Sequence, residues 1–157
     1  MSRIAQACIL AAVLVSTPCT HAASLVALGT DFSCVVVAGK LRCWGINGEG
    51  ELADGSTTYR LVPTAGVSGF VGVAAGANHA CGIAPNGTLA CWGSNGFGQL
   101  GLGTANEREI SPTTVGLASG VLDVAAGNSF TCAVLSTGAV YCWGLNQSGQ
   151  LGNGTLT

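Results

Sequence analysis

Charge is scarce in this sequence. Charged residues make up 8% of its 157 residues, with five Lys and Arg against seven Asp and Glu, so the net charge is −2 at pH 7. A chain with so few cations cannot neutralise a run of phosphates, and we expect no nucleic-acid partner. Histidine is also rare, with two in the whole sequence. Because the common catalytic triads need an imidazole beside the nucleophile, we expect no enzyme, and we expect no cofactor or metal site either.

Apolar runs long enough to cross a membrane are also missing. Residues 4–15 are mostly apolar, but this run is shorter than the ~20 residues of a transmembrane helix. Arg3 precedes the run, and Thr20 and Ala22 supply small residues at the −3 and −1 positions of a cleavage site, an arrangement typical of a cleaved secretory signal peptide. We predict a leader at residues 1–22, a secreted or periplasmic location, and no membrane insertion after cleavage. A buried N-terminal helix is the structural alternative.

Internal repetition is the main feature that the sequence does have. The tripeptide Cys-Trp-Gly occurs three times, with its tryptophans 48 and 51 residues apart. Each copy is followed by Asn, and then by Gly, an acid or amide, and Leu. We predict one domain at residues 23–157, with repeats at approximately 23–69, 70–119 and 120–157. The tryptophans of the three copies are Trp44, Trp92 and Trp143.

Each repeat has the pattern of short strands. In the third copy, residues 132–135 and 139–142 flank a Ser-Thr-Gly turn, and both faces of the resulting hairpin are largely apolar. A sheet that is apolar on both faces must be stacked between two other layers of structure, as a blade of a β-propeller is stacked between its neighbouring blades. Small residues at 73–76 suit an innermost strand, and Pro63 suits an outer edge strand. The predicted fold is all-β, a β-propeller of four-stranded blades.

Valine, small residues and Gly are followed in each copy by a hairpin that ends in a motif close to Trp-Gly-x-Asn-x-x-Gly-Gln-Leu-Gly. This pattern resembles the regulator-of-chromosome-condensation repeat over residues 24–157. The family usually forms seven-bladed propellers, which need ~350 residues. The resemblance therefore implies that about three of seven blades are present, and that the sequence is a piece of a longer protein.

Six cysteines remain after the predicted leader, an even number in an oxidising compartment. One lies on each side of every hairpin turn. Residues directly opposite each other on paired strands have Cα atoms ~4.5–5.5 Å apart, which is within disulfide range. We predict one disulfide per blade, and buried free cysteines are the alternative. The predicted pairs are Cys34 with Cys43, Cys81 with Cys91, and Cys132 with Cys142.

Other candidate residues have both a functional and a packing interpretation. The three repeated tryptophans could form a ligand platform, but their regular spacing favours packing between blades. His79 stands where the other copies have Phe32 and Phe130, which favours packing as well. The acids of the first loop loosely suggest a calcium site, but the other copies lack them and a solvated loop is the favoured interpretation. These acids are Glu49, Glu51 and Asp54.

The functional residues of a propeller lie in its loops, and the copies differ most at residues 54–60 and 104–111. We predict that these segments contact a protein partner, and that the chain is a secreted binding scaffold without catalysis. Two alternatives remain: guanine-nucleotide exchange on a small GTPase, and a non-catalytic or carbohydrate-binding propeller domain of a larger exported enzyme. Within the second segment, the predicted contact residues are Asn106, Glu107, Arg108 and Glu109.

Overall fold

The computed structural model describes residues 24–104, 107–118 and 120–157. The predicted leader and Asn106 lie outside these residues. Within them the chain forms eleven strands in three antiparallel sheets. The described residues include no helix long and apolar enough to cross a membrane.

Each sheet is a meander in which consecutive strands are neighbours. The strands of the first sheet are β1 (Val26–Leu28), β2 (Phe32–Val37), β3 (Lys40–Gly45) and β4 (Arg60–Ser68). Those of the second are β5 (Gly72–Ala75), β6 (His79–Ile83), β7 (Leu89–Ser94) and β8 (Arg108–Thr114). Those of the third are β9 (Val121–Ala126), β10 (Phe130–Leu135) and β11 (Val140–Gly144).

The predicted all-β fold of four-stranded blades is confirmed by the first two sheets, and we call the three sheets blades one, two and three. Blade three has three strands within the described residues. In blades one and two the outer strand begins 16 residues after the tryptophan, whereas Thr157 follows Trp143 by 14 residues.

The hairpin turns follow from their glycines. In blade one, Ala38 and Gly39 form a two-residue turn with φ of 51° and 72°, and they join Val37 to its partner Lys40. Positive φ at both central residues matches the right-handed twist of the strands. The longer turn of blade two has Gly87 at φ 78°. These turns set the register that places the two cysteines of each blade opposite each other.

The blades stack through their apolar faces and bury two clusters. One lies between blades one and two and includes Leu41, Val73 and Trp92. The other lies between blades two and three and includes Leu89 and Val124. All five residues of β6 are buried because blade two has a neighbour on each side. The inner strands of adjacent blades, β1 with β5 and β5 with β9, are in contact, which fits their small residues.

A repeated glycine makes room for a ring at the inner end of each blade. Gly29 precedes β2, and a Cβ added there would overlap the ring of Phe32. The same overlap would occur between Gly127 and Phe130 in blade three. In blade two the ring is that of His79, so histidine fills the position that phenylalanine fills in the other copies.

Candidate functional site

The segments that follow the tryptophans are built around one buried asparagine each. We call these segments the post-tryptophan loops: residues 46–59, 95–104 and 145–157. In the first, Asn47 Oδ1 accepts the Leu52 N–H at 2.9 Å, and Asn47 Nδ2 donates to the carbonyls of Ser56 and Thr58 at 2.9 and 3.1 Å. The amide side chain therefore satisfies backbone groups that the loop would otherwise leave unpaired.

The other two post-tryptophan loops repeat this arrangement. Asn95 accepts the Leu100 N–H at 3.0 Å and donates to the Thr104 carbonyl at 2.8 Å. Asn146 accepts the Leu151 N–H at 3.0 Å and donates to the Thr155 carbonyl, also at 3.0 Å. Sequence reasoning recorded these asparagines but gave them no role. Their fixed offset from the tryptophan was the available signal.

A second side chain in each loop folds back onto the backbone. Gln99 Oε1 accepts the Phe97 N–H at 2.9 Å, and Gln150 makes the corresponding bond to the Ser148 N–H at 2.8 Å. In the first loop Glu51 does the same for the Glu49 N–H at 2.9 Å, although it is a carboxylate and almost fully buried. Burial raises the pKa of the Glu51 carboxyl, although backbone N–H donors oppose the shift.

The expectation of a solvated acidic loop was wrong for two of its three acids. Glu51 is buried because its side chain folds back into the loop, as that of Gln99 does. The Asp54 carboxylate is paired with the Arg60 guanidinium at 2.7 Å and accepts the Ser56 hydroxyl at 2.7 Å. Burial raises the pKa of Asp54, but the Ser56 bonds and Arg60 outweigh it and leave the pKa lowered.

Metal-binding side chains do not gather in this part of the protein. The first-loop acids are already engaged by Ser56, Arg60 and backbone N–H groups. Among the residues that the structure describes, no group of three or more His, Cys, Asp or Glu side chains is placed to hold a metal ion.

The first two post-tryptophan loops each accept the tryptophan of the next blade. Trp92 is fully buried, and its Nε1 donates to the Glu51 carbonyl of blade one at 2.7 Å. Trp143 Nε1 donates to the Gln99 carbonyl of blade two at 2.8 Å. Trp44 of blade one is half-buried, and no described residue accepts a hydrogen bond from its Nε1. Trp92 and Trp143 therefore each link their blade to the preceding one through a hydrogen bond.

His79 is part of the contact between blades two and three. Its Nε2 lies 2.9 Å from Thr131 Oγ1, and that hydroxyl donates to the Gln99 carbonyl at 2.8 Å. Because the Thr131 proton is used there, Nε2 must be the protonated ring nitrogen and donate to Thr131. Nδ1 is then a buried acceptor without a partner. Burial lowers the pKa of His79 to about 4, so the ring is neutral at pH 7.

Three disulfides join the hairpins, with the predicted pairing. The cysteines of each pair lie directly opposite each other on antiparallel strands, and their Cα–Cα distances of 4.2, 4.0 and 4.1 Å are somewhat shorter than the ~4.5 Å of a closely spaced cross-strand pair. The first two bridges are buried between blades, and the third is partly exposed on blade three. Disulfides persist in oxidising compartments, so these bridges are consistent with an extracellular or other oxidising location. The pairs are Cys34–Cys43, Cys81–Cys91 and Cys132–Cys142.

The two variable segments lie side by side. Gly55 of the first donates its N–H to the Ile110 carbonyl of the second at 3.1 Å. Arg108 Nη1 donates to the Gly48 carbonyl at 2.8 Å and lies 3.8 Å from the Glu49 carboxylate. The segment predicted as a contact loop is in part a strand, because Arg108 begins β8. Contact with a partner at this segment stays a prediction.

Three neighbouring apolar side chains are exposed beside these segments. They belong to the end of the first post-tryptophan loop and the start of β4, an outer strand that covers no other sheet. Their exposed fractions are 64% for Tyr59, 94% for Leu61 and 67% for Val62. Sequence reasoning had named the adjoining loop but not these residues. The sequence shows that these three residues are apolar, but it does not show that their side chains are exposed.

An open groove of about 700 Å³ runs beside β11. It is lined by loop glycines together with Leu102, Thr104, Val115, Tyr141 and Trp143. None of the described residues that line this groove carries a carboxylate or an imidazole.

Comparison with known proteins agrees with the fold. Sequence models of the "Regulator of chromosome condensation (RCC1) repeat" match residues 70–99, 121–150 and 86–134. Protein RCC2 homolog of Danio rerio is 32% identical over 124 residues, which is 76% of this chain and 25% of that protein. The ultraviolet-B receptor UVR8 of Arabidopsis thaliana is 35% identical over 134 residues, 80% of this chain and 30% of the receptor.

Solved structures share the blade arrangement. Prp20p of Saccharomyces cerevisiae, studied for its binding to Gsp1p and histones, superposes with a TM-score of 0.76 at 20% identity, over 85% of this chain and 36% of that one. Human WBSCR16 superposes with a TM-score of 0.70 at 22% identity, over 77% and 32%. The chain spans about a quarter to a third of the length of these relatives. The matched repeats, the relatives and the stacked blades together show that the chain belongs to the regulator of chromosome condensation (RCC1) repeat family.

Proposed function

We propose that this chain is part of an exported scaffold that binds a protein partner, without catalysis, through one composite surface. We call residues 54–62 and 107–111 the loop surface. The observation that carries the proposal is the junction of the two variable segments at the Gly55–Ile110 hydrogen bond. Variable segments on a rigid scaffold are where binding function usually lies.

The chemistry of the loop surface suits a protein partner. Tyr59 and Leu61 are both exposed, and because they are two residues apart in an extended segment they can share one face. Exposed apolar side chains that lie together mark interaction sites. Val62 is exposed as well, on the opposite face of β4. Aromatic anchors surrounded by a polar rim are typical of protein interfaces. Here the rim would consist of Glu107 and the Arg108 side chain, both exposed. Two of the three apolar side chains belong to β4, a paired strand, so little ordering is needed on binding.

Export is supported by the disulfides and by the leader-like first 22 residues. An exported chain would meet its partner outside the cytosol. Prp20p binds Gsp1p and histones, so this fold can present protein-binding surfaces. Guanine-nucleotide exchange is the less favoured alternative, because small GTPases are cytosolic or nuclear. An exchange assay with a small GTPase that showed acceleration over the intrinsic rate would replace the present proposal.

The surface is tested by paired substitutions. Leu61→Ser removes the most exposed apolar side chain, and Leu122→Ser is the matched control because Leu122 is 50% exposed on the inner strand β9. A partner isolated from the extracellular or periplasmic fraction would be purified and titrated against each variant. We expect Leu61→Ser to weaken binding about tenfold or more, as the loss of an interface anchor does. Equal affinity of the two variants would contradict the proposal.

Export is tested by the intact mass of the natively produced protein, measured before and after reduction and alkylation. We expect a mass without residues 1–22 and alkyl groups that appear only after reduction. A retained leader with freely alkylated thiols would contradict export while leaving the loop-surface test unaffected.

A further inference from the structure

The loop surface lies where blades one and two meet, and both of these blades belong to the described residues. Gly55 of blade one donates its N–H to the Ile110 carbonyl of blade two at 3.1 Å. A Cβ added at Gly50 would lie 2.7 Å from Ile110 Cα, so the backbones of the two blades are in close contact there. The surface is therefore formed by two neighbours that are both present.

A small pocket opens in the loop surface. Its volume is about 330 Å³, and it lies between the first post-tryptophan loop, residues 65–67 of β4, and Ser111 of blade two. Most of its lining side chains are small, which leaves room for a side chain from a partner. Leu61 lies on the same strand and is 94% exposed, and Tyr59 precedes it with 64% exposed. A pocket with exposed apolar side chains on the same surface is typical of the place where an interface anchor binds.

The charge of the protein is concentrated at this junction. The whole sequence has seven acidic residues, and five of them lie in the first post-tryptophan loop or in the second segment of the loop surface. Two basic residues, Arg60 and Arg108, accompany them. The two remaining acids are matched in number by two bases elsewhere in residues 24–157, so the net negative charge of these residues resides at the junction. The five acids are Glu49, Glu51, Asp54, Glu107 and Glu109.

Neutral residues form the corresponding hydrogen bonds in the other blades. Gln99 and Gln150 fold back onto the loop backbone through an amide oxygen, as Glu51 does through a carboxylate oxygen. Asn153 Oδ1 accepts in blade three the same three hydrogen bonds that Asp54 Oδ1 accepts in blade one. The loop geometry therefore does not require a carboxylate at these two positions, and their negative charge is an additional property of blade one.

Two ion pairs neutralise part of this charge. Arg60 pairs with Asp54 at 2.7 Å, and the Arg108 guanidinium lies 3.8 Å from the Glu49 carboxylate. Five acids against two arginines nevertheless leave an excess of negative charge, and Glu107 is among the exposed acids. Such an excess attracts a surface of the opposite sign and disfavours one of the same sign.

We propose that the partner of the loop surface presents a basic face, with lysine or arginine side chains around one apolar anchor. This inference rests on the proposed function, because it names the chemistry of the protein that the loop surface binds. The basic side chains would lie against the acidic rim and the exposed ring of Tyr59, since cations bind the faces of aromatic rings. The apolar anchor would cover Leu61 and enter the pocket. A neutral or acidic partner would not complement this charge and would bind less tightly.

Two labelled peptides of equal length test the charge preference. In one peptide a leucine is flanked by lysines on both sides, and in the other peptide glutamates replace the lysines. Each is titrated with the natively produced protein, and fluorescence anisotropy measures binding. We expect the basic peptide to bind in 0.1 M salt and to be released in 1 M salt, because the Debye length falls from about 10 Å to about 3 Å. Equal binding of the two peptides, or no binding of the basic peptide, would overturn the proposal.

Matched substitutions test whether the basic peptide binds at the loop surface. Glu107→Gln removes one exposed negative charge from this surface. Asp31→Asn is the control, because Asp31 is an exposed acid outside it, and Asn78 in the same repeat position is exposed although blade two has a neighbour on each side. We expect Glu107→Gln to weaken binding of the basic peptide about twofold to fivefold, the effect of one exposed ion pair, and Asp31→Asn to leave it unchanged. The same affinity for both variants would overturn the proposal.

These results can be separated from the test of the proposed function. Weaker partner binding by Leu61→Ser together with equal binding of the two peptides would mean that the loop surface binds a protein whose face is not basic. Binding of the basic peptide through Glu107, with partner binding unchanged in Leu61→Ser, would contradict the proposed function while the preference for a basic ligand stands.

Discussion

Replacement of Trp92 by phenylalanine tests how the blades are held together. The indole is fully buried, and its Nε1 donates at 2.7 Å to the carbonyl of Glu51, a residue that is itself 1% exposed. Trp92→Phe leaves that buried carbonyl without a partner, which costs about 1–3 kcal/mol. The smaller ring also leaves a cavity, and we assign it about 1 kcal/mol because Trp→Ala changes cost about 3–5 kcal/mol in full. The expected loss of unfolding free energy is therefore about 2–4 kcal/mol.

The other two tryptophans supply graded controls. Trp143→Phe should cost less, about 1 kcal/mol, because the Gln99 carbonyl keeps its hydrogen bond from the Thr131 hydroxyl at 2.8 Å. Trp44→Phe should lower the unfolding free energy by about 0.5 kcal/mol, a value typical of substitutions at partly exposed sites, because no described residue accepts a hydrogen bond from Trp44 Nε1. The expected order of destabilisation is Trp92, then Trp143, then Trp44.

The assay is urea unfolding of the oxidised protein, followed by far-ultraviolet circular dichroism. Circular dichroism is preferred because each substitution removes a fluorophore. Equal costs at Trp92 and Trp44 would refute the reasoning, because the two positions would then differ in burial and hydrogen bonding without a difference in free energy.

Three further predictions concern titration and redox chemistry. Glu51→Gln should raise the unfolding free energy at pH 7, because the buried carboxylate of Glu51 destabilises the fold above its raised pKa. This cost disappears as the pH falls toward 4.5, so the urea midpoints of the two proteins should differ more at pH 7 than at pH 4. A variant that is no more stable than the wild type at pH 7 would contradict the prediction. The wild type should lose up to about 3 kcal/mol of unfolding free energy as the pH falls from 6.5 through about 4, because the buried His79 ring is held neutral in the folded protein. His79→Phe should abolish this loss, and the same urea midpoints measure it. A variant that loses as much stability between pH 6.5 and pH 4 as the wild type would count against the prediction. Limited reduction should open the partly exposed Cys132–Cys142 bridge before the two buried bridges; alkylation and peptide mass mapping give the order, and prior opening of a buried bridge would disprove it.

The repeat pattern predicted the fold well because its signals are local. The turn at Ala38 and Gly39 fixes a two-residue hairpin, and the cysteines lie nine or ten residues apart on the same hairpin. One expectation about the loops was wrong for the opposite reason. Glu51 is buried rather than solvated, since its segment packs against a distant part of the chain, the Trp92 indole of blade two.

The sequence alone determined the repeat period, the hairpins, the outer strands and the disulfide pairs, because each depends on residues within one repeat. The tertiary structure decided which loop accepts which tryptophan and that Gly55 meets Ile110. It also decided that Trp44 is left half-buried where Trp92 is enclosed. These contacts join residues about 40 to 60 positions apart, and they arise from the stacking of one blade on the next. No local propensity encodes that geometry, because it is set by the fit of two apolar sheet faces.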